Sequence, residues 1–87
     1  MSIGSHVARV RKLFGHLADD VFRLALRNQR FRSLCDDYGM TIDTLDVLER
    51  RNHPKDVEKM VEYRALKKEL ERDLEHALLV SDSKSDD

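Results

Sequence analysis

Four histidines, one cysteine and a run of carboxylates are the side chains in this sequence whose chemistry extends beyond packing. A helical zinc site needs two imidazoles on one face, one turn apart. His6, His16, His53 and His76 are scattered, and no two stand at that i, i+4 spacing. His16 with Asp19 and Asp20 comes nearest to a ligand set, since steps of three and four residues share a helix face. Ordinary helix solvation explains that trio as well, so no metal is expected. Cys35 lies beside Asp36 and Asp37, whose charges raise a thiol pKa when a nucleophile needs it lowered. A buried, inert thiol is expected. Asp36, Asp37, Asp43, Asp46 and Glu49 form an acidic set, yet nothing apolar on that face would desolvate them and tune them for acid and base work. With no Gly-rich phosphate loop, Ser and His pairing or nucleotide fingerprint, the sequence points to no catalytic residue, no cofactor and no enzyme activity.

Charge is the more informative chemistry. Met1 to Cys35 holds seven Lys or Arg against two Asp, whereas Asp36 to Asp87 holds nine against fifteen acidic residues. A basic arm is therefore joined to an acidic one, under a net charge of −1. On a continuous first helix, Arg9, Lys12, His16, Arg23, Arg27 and Arg30 fall opposite Val10, Leu17 and Leu24. Such a basic face suits nucleic-acid phosphates, although Asp19 and Asp20 interrupt it and the chain has no tryptophan. With Phe14 and Phe22 it also suits an anionic membrane surface. The reading favoured here is that the basic arm lies against the acidic half, in the same chain or a partner subunit, and serves assembly.

The elements that must position these groups are helices. At 87 residues the chain fits one thin domain, and 38% charged against 6% aromatic residues is the balance of long solvated helices. Val7, Val10, Phe14, Leu17, Val21 and Leu24 recur at three- and four-residue steps, giving an N-terminal amphipathic helix over residues 1–27 that Ser5 can cap. Gly15 makes a bend before Leu17 plausible. Asn28 occupies the next apolar position and predicts a kink or restart. Phe31, Leu34, Tyr38, Ile42, Leu45 and Leu48 continue a second stripe, with a bend expected at Gly39 to Thr41. Arg51 to Lys55 breaks the pattern, and Pro54 suits the first turn of a last helix whose stripe includes Met60, Tyr63, Leu66, Leu70, Leu74 and Ala77. The short turn favours antiparallel packing of the two later helices.

The expected fold is therefore all-α: an antiparallel, coiled-coil-like helical hairpin over 28–79, the N-terminal helix, and a disordered acidic tail over 80–87. Phe31, Leu34, Tyr38, Leu45, Leu66, Leu70 and Leu74 are the expected hairpin core. Val7, Val10, Phe14, Leu17, Val21 and Leu24 are the expected association surface, because a hairpin alone has limited area to cover them. One cysteine excludes an intramolecular disulfide framework and points to a reducing cytoplasm. No signal-peptide pattern opens the sequence, and no run approaches the ~20 apolar residues of a membrane span.

The stretch from Leu17 to Leu78, about two thirds of the chain, resembles the YdcH-like (DUF465) family of small bacterial proteins. The carrying residues are Asn28, Arg30, Phe31, Ser33, Leu34, Asp37 and Tyr38, then Leu45, Leu48 and Glu49, then Tyr63, Leu66, Lys67, Leu70 and Leu74. The resemblance implies a helical hairpin and a protein of unknown function, with no catalytic residues to carry over. The chain departs from that pattern in having Gln29 where a proline is common, and in the N-terminal stretch from Met1 to His16. Residues and resemblance together point to a helical adaptor or regulator that works through a homo-oligomer or a protein partner.

Overall fold

A computed structural model of the chain describes residues 5–84, with side chains described for residues 5–80. Among the described residues there is no strand. Four α-helices pack against one another: α1 (Ser5–Leu13), α2 (Ala18–Arg27), α3 (Gln29–Arg51) and α4 (Val57–Lys84). Single 3-10 turns at Gly15–Leu17 and Pro54–Asp56 join α1 to α2 and α3 to α4.

The helix expected over 1–27 is two helices. Phe14 donates to the Val10 carbonyl and accepts from Leu17 N–H at 2.6 Å, closing a tight turn in place of a continued α-helix. Gly15 meets no neighbouring atom within 4 Å of an added Cβ, so its weak helix propensity, and no need for space, explains the break. Ser5, read as the cap, is itself the first helical residue described, and the preceding position lies outside the described residues.

Asn28 does what its residue type predicts. It leaves the helical region at φ −126° and ψ 107°, and its Oδ1 accepts from the Phe31 N–H at 3.0 Å. Its own N–H still donates to Leu24 O, so one residue both ends α2 and starts α3. Arg32 Nη1 reaches back across this corner to Ala25 O at 3.1 Å.

The expected bend at Gly39 to Thr41 is absent, and α3 runs unbroken through it. Thr41 is buried, but its hydroxyl donates to the Asp37 carbonyl one turn back at 2.8 Å, which removes the penalty of an orphaned polar group. Gly39 serves close approach instead. A Cβ there would collide with the ring and Cβ of His6 on α1. Beside that contact Arg9 Nη1 donates to Gly39 O at 3.0 Å, and Arg9 Nη2 pairs with Asp43 at 2.6 Å.

At the other end of α3, Asn52 takes the left-handed conformation at φ 49°, a region asparagine tolerates better than most residues, and closes the helix with a bond to Leu48 O. His53 Nδ1 accepts from Lys55 N–H, and Pro54 follows at the first position of the turn. Asp56 is only 7% exposed, and both its oxygens accept from Arg51, at 2.9 and 3.1 Å. That fork of bonds fixes the corner. Between α3 and α4, Tyr38 Oη donates to Glu71 at 2.8 Å and Arg64 pairs with Glu49 at 3.1 Å.

The core draws on every helix. Val7 and Val10 of α1, Val21, Leu24 and Ala25 of α2, Phe31, Cys35 and Tyr38 of α3, and Leu70, Leu74 and Leu78 of α4 form one buried cluster. Of the expected hairpin core, Phe31, Tyr38, Leu45, Leu70 and Leu74 are buried and Leu34 is partly buried against the cluster. Leu66 is not core: it is 38% exposed, because α1 and α2 do not extend over that turn of α4. The tail also differs from expectation, since α4 continues to Lys84 and residues 85–87 lie outside the described residues. Extending an existing helix requires no new nucleus, so polar residues can prolong it.

Two tests follow from these contacts. Gly39→Ala is expected to destabilise the chain by roughly 1–3 kcal/mol through overpacking against His6. In a His6→Ala background the same change is expected to gain ~0.5–1 kcal/mol from helix propensity. Urea denaturation of the four-member cycle reads both, and a penalty that persists without His6 would place the strain elsewhere. Bonds from Arg51 hold the Asp56 carboxyl below the ordinary carboxylate range, against the desolvation that raises it. A depressed carboxylate contributes stability above its unfolded pKa of about 3.9 and loses it as pH falls toward the folded value. The stability difference between wild type and Asp56→Asn is therefore expected to shrink below about pH 4 in acid titrations of Tm.

Candidate docking surface

Most of the groups with chemical potential are spent on structure. Cys35 is fully buried, and that burial, with Asp36 beside it, pushes the thiol up to about 12, so it stays protonated at neutral pH. Burial also pushes the Tyr38 phenol up, reinforced by its bond to Glu71. Three of the five clustered carboxylates sit in ion pairs: Asp43 with Arg9, Asp46 with Arg50 and Glu49 with Arg64. His16 and His53 are exposed, and His6 is half-buried against Gly39 with no hydrogen-bond partner for Nδ1. Among the described residues no three His, Cys, Asp or Glu side chains converge as metal ligands would.

The N-terminal apolar stripe, expected to be an association surface, is instead the interior. Val7, Val10 and Val21 are fully buried and Leu24 is 5% exposed, while Phe14 and Leu17 pack partly buried against them. The break at Gly15–Leu17 lets the chain fold back, so the two halves of the stripe meet each other and α3 and cover themselves. That same break divides the basic face between two helices. Arg9 is committed to Gly39 and Asp43. Lys12 and Arg23 are exposed, whereas Arg27 and Arg30 come together on the rim of a groove.

This groove, about 610 Å³, lies where α2, α3 and the end of α4 meet. Leu24, Phe31, Leu34 and Ala77 make its floor, and Arg27, Arg30, Asp73 and His76 stand around it. An apolar floor with a few charged groups at the rim is the make-up of a recognition site. Asn28 builds it: the cap that turns α2 into α3 also brings the two arginines, three residues apart, to the same edge. A smaller groove of about 330 Å³ lies between Thr44, Leu48, Tyr63 and Leu66, nearer the α3–α4 turn.

Sequence periodicity did not mark the apolar side chains that remain outside. Leu26 is 57% exposed, Leu79 60% and Val80 39%, and of these Val80 lines the larger groove. Phe22 is 39% exposed, with the Arg11 guanidinium 5.6 Å from its ring centroid. The signal was available in part, because these residues fall off the three- and four-residue stripe. Comparison with family models, with curated proteins and with solved structures finds no match for the chain.

The division between inner and outer apolar residues is testable by one substitution on each side. Val21→Asp would bury an unpaired charge, a penalty of several kcal/mol against a total stability of about 5–15 kcal/mol. Loss of the cooperative unfolding transition is expected. Leu26→Asp, five residues further along α2, is expected to leave that transition within about 0.5 kcal/mol of wild type. A folded Val21→Asp variant, seen by circular dichroism and thermal scans, would contradict the packing described.

Proposed function

We propose that this chain is a small helical interaction protein, an adaptor or regulator that works through protein contacts and associates with itself. The observation that carries the reading is the apolar-floored groove, with Arg27, Arg30 and the part-exposed Val80 among its lining residues, that remains open after the chain has filled its own core. Exposed apolar surface gathered beside a concave site is a feature of binding surfaces, whereas single exposed leucines are ordinary. Small size supports it too, since a thin domain gains stability from a partner.

The arrangement of the two long helices belongs to this reading. We take α3 and α4 as an antiparallel helical hairpin, supported by the cross-links Tyr38 to Glu71 and Glu49 to Arg64, whose numbers rise on one helix as they fall on the other. The resemblance to the YdcH-like family belongs to this reading as well and rests on the sequence from Leu17 to Leu78. A lone inert thiol suits a reducing cytoplasm.

A nucleic-acid role for Arg23, Arg27 and Arg30 is the competing reading, since all three side chains are exposed. Sedimentation equilibrium of the purified protein from micromolar to millimolar concentration decides the first point. A reversible, concentration-dependent rise in mass is expected, and a monomer throughout would overturn self-association. Salt-sensitive binding of a labelled oligonucleotide, abolished when the three arginines become alanine, would establish the competitor instead.

A further inference from the structure

Most charged side chains of α3 are matched within the chain. Asp43 pairs with Arg9, Asp46 with Arg50, Glu49 with Arg64 and Arg51 with Asp56, while Arg32 bonds to Ala25 O. Arg30 and Asp37 are different. Both are exposed, and among the described residues neither the guanidinium nor the carboxylate has a hydrogen bond or ion pair. Seven residues return them to one face of the helix, about 10 Å apart along its axis at 1.5 Å per residue. That is beyond the three- and four-residue steps at which helical side chains pair, so these opposite charges cannot satisfy each other. Leu34 stands between them, packed against the core but only partly buried. A shallow hollow of about 470 Å³ lies on this face, lined by Gln29, Arg30, Ser33, Leu34 and Asp37. It adjoins the larger groove, with which it shares Arg30 and Leu34.

Deepening the self-association proposed above, and resting on it, we infer that two copies of this chain cross α3 on α3, antiparallel, about a twofold axis at Ser33 and Leu34, so that Arg30 of each meets Asp37 of the other. A twofold contact uses one patch twice, so the patch must carry donor and acceptor at equal distances from the axis. The midpoint of 30 and 37 falls between Ser33 and Leu34, and rotation there exchanges the two positions. Leu34 then meets its counterpart at the centre, and the small, exposed Ser33 lets the helices approach closely. The charges set the orientation, since a parallel pairing would bring Arg30 onto Arg30. The other exposed apolar residues of α3 lack this symmetry. Met40 is flanked by Asp36, Asp37 and Asp43, which a second copy would meet with like charge. Val47 is flanked by Asp43, Arg50 and Arg51, all of them already paired within the chain.

A reciprocal charge swap in the full-length chain tests the crossing, with circular dichroism to check that each variant folds. Arg30→Glu alone or Asp37→Lys alone places like charges at both contacts, so the dimer dissociation constant is expected to rise at least about tenfold. Mixed, the two variants are complementary at both contacts, reversed at one and native at the other. The heterodimer, and the homodimer of the doubly substituted chain, are expected within about threefold of wild-type affinity, read by sedimentation and native mass spectrometry. Asp36→Lys makes the same charge change on the neighbouring residue, off this face, and is expected to leave the constant within about threefold. A dimer unmoved by either single variant, one weakened equally by Asp36→Lys, or two weakened variants that fail to rescue each other would overturn the crossing while leaving self-association through another face intact. A monomeric wild type would overturn both and leave this face to a different partner.

Discussion

The seating of α1 on α3 at Gly39 is the contact on which the rest of the fold depends. Two long helices joined by a short turn bury one stripe between them and leave a second face of α3 uncovered. α1 covers that face only because Gly39 lacks a Cβ, which lets His6 and the helix behind it come close enough for Val7 and Val10 to be fully buried. Arg9 then ties the two backbones through the Gly39 carbonyl and the Asp43 carboxylate. Without that approach, the apolar face of α1 would lose its seat on α3.

Helix breaks serve this closure. A 27-residue helix carrying the same stripe would point most of it into solvent, whereas the turn at Gly15–Leu17 folds α2 back beside α1. The Asn28 cap then reverses the path into α3 at the expense of one non-helical residue. Each break lies where propensity is weakest or where a side chain can satisfy an orphan amide, so local chemistry and global packing agree. The same corner that closes the core sets Arg27 and Arg30 beside the apolar hollow at the end of α4.

Charge is divided accordingly. Part of the basic arm is consumed inside the chain, where Arg9 meets Asp43, and Glu49 and Asp46 are met by Arg64 and Arg50. Exposed pairs of this kind contribute little stability individually. Their effect is to fix which faces meet. The exposed Arg30 at the α2–α3 corner is part of what gives the larger groove its character.

Much of this was legible in the residues themselves. The helical class, the cap at Asn28, the weakness at Gly15, the turn before Pro54 and the inert Cys35 all follow from local rules of propensity, capping and period, which act over a few residues. Most of the expected hairpin core was legible for the same reason, since a stripe on one helix must face something. What the stripe faces is a different matter. Periodicity identified Val7, Val10, Val21 and Leu24 as an apolar surface but could not distinguish a partner molecule from the chain's own α3, because that choice depends on contacts about 30 residues away, such as Arg9 with Gly39. Gly39 read as a weak point in a helix, and only the arrival of His6 against it turned the missing side chain into a seat. Leu66 kept the period yet stays exposed, because burial depends on how far the covering helices reach, which no local pattern encodes. The sequence by itself determined which faces were apolar and where the helices stop; tertiary packing alone decided which of those faces are interior and which remain open.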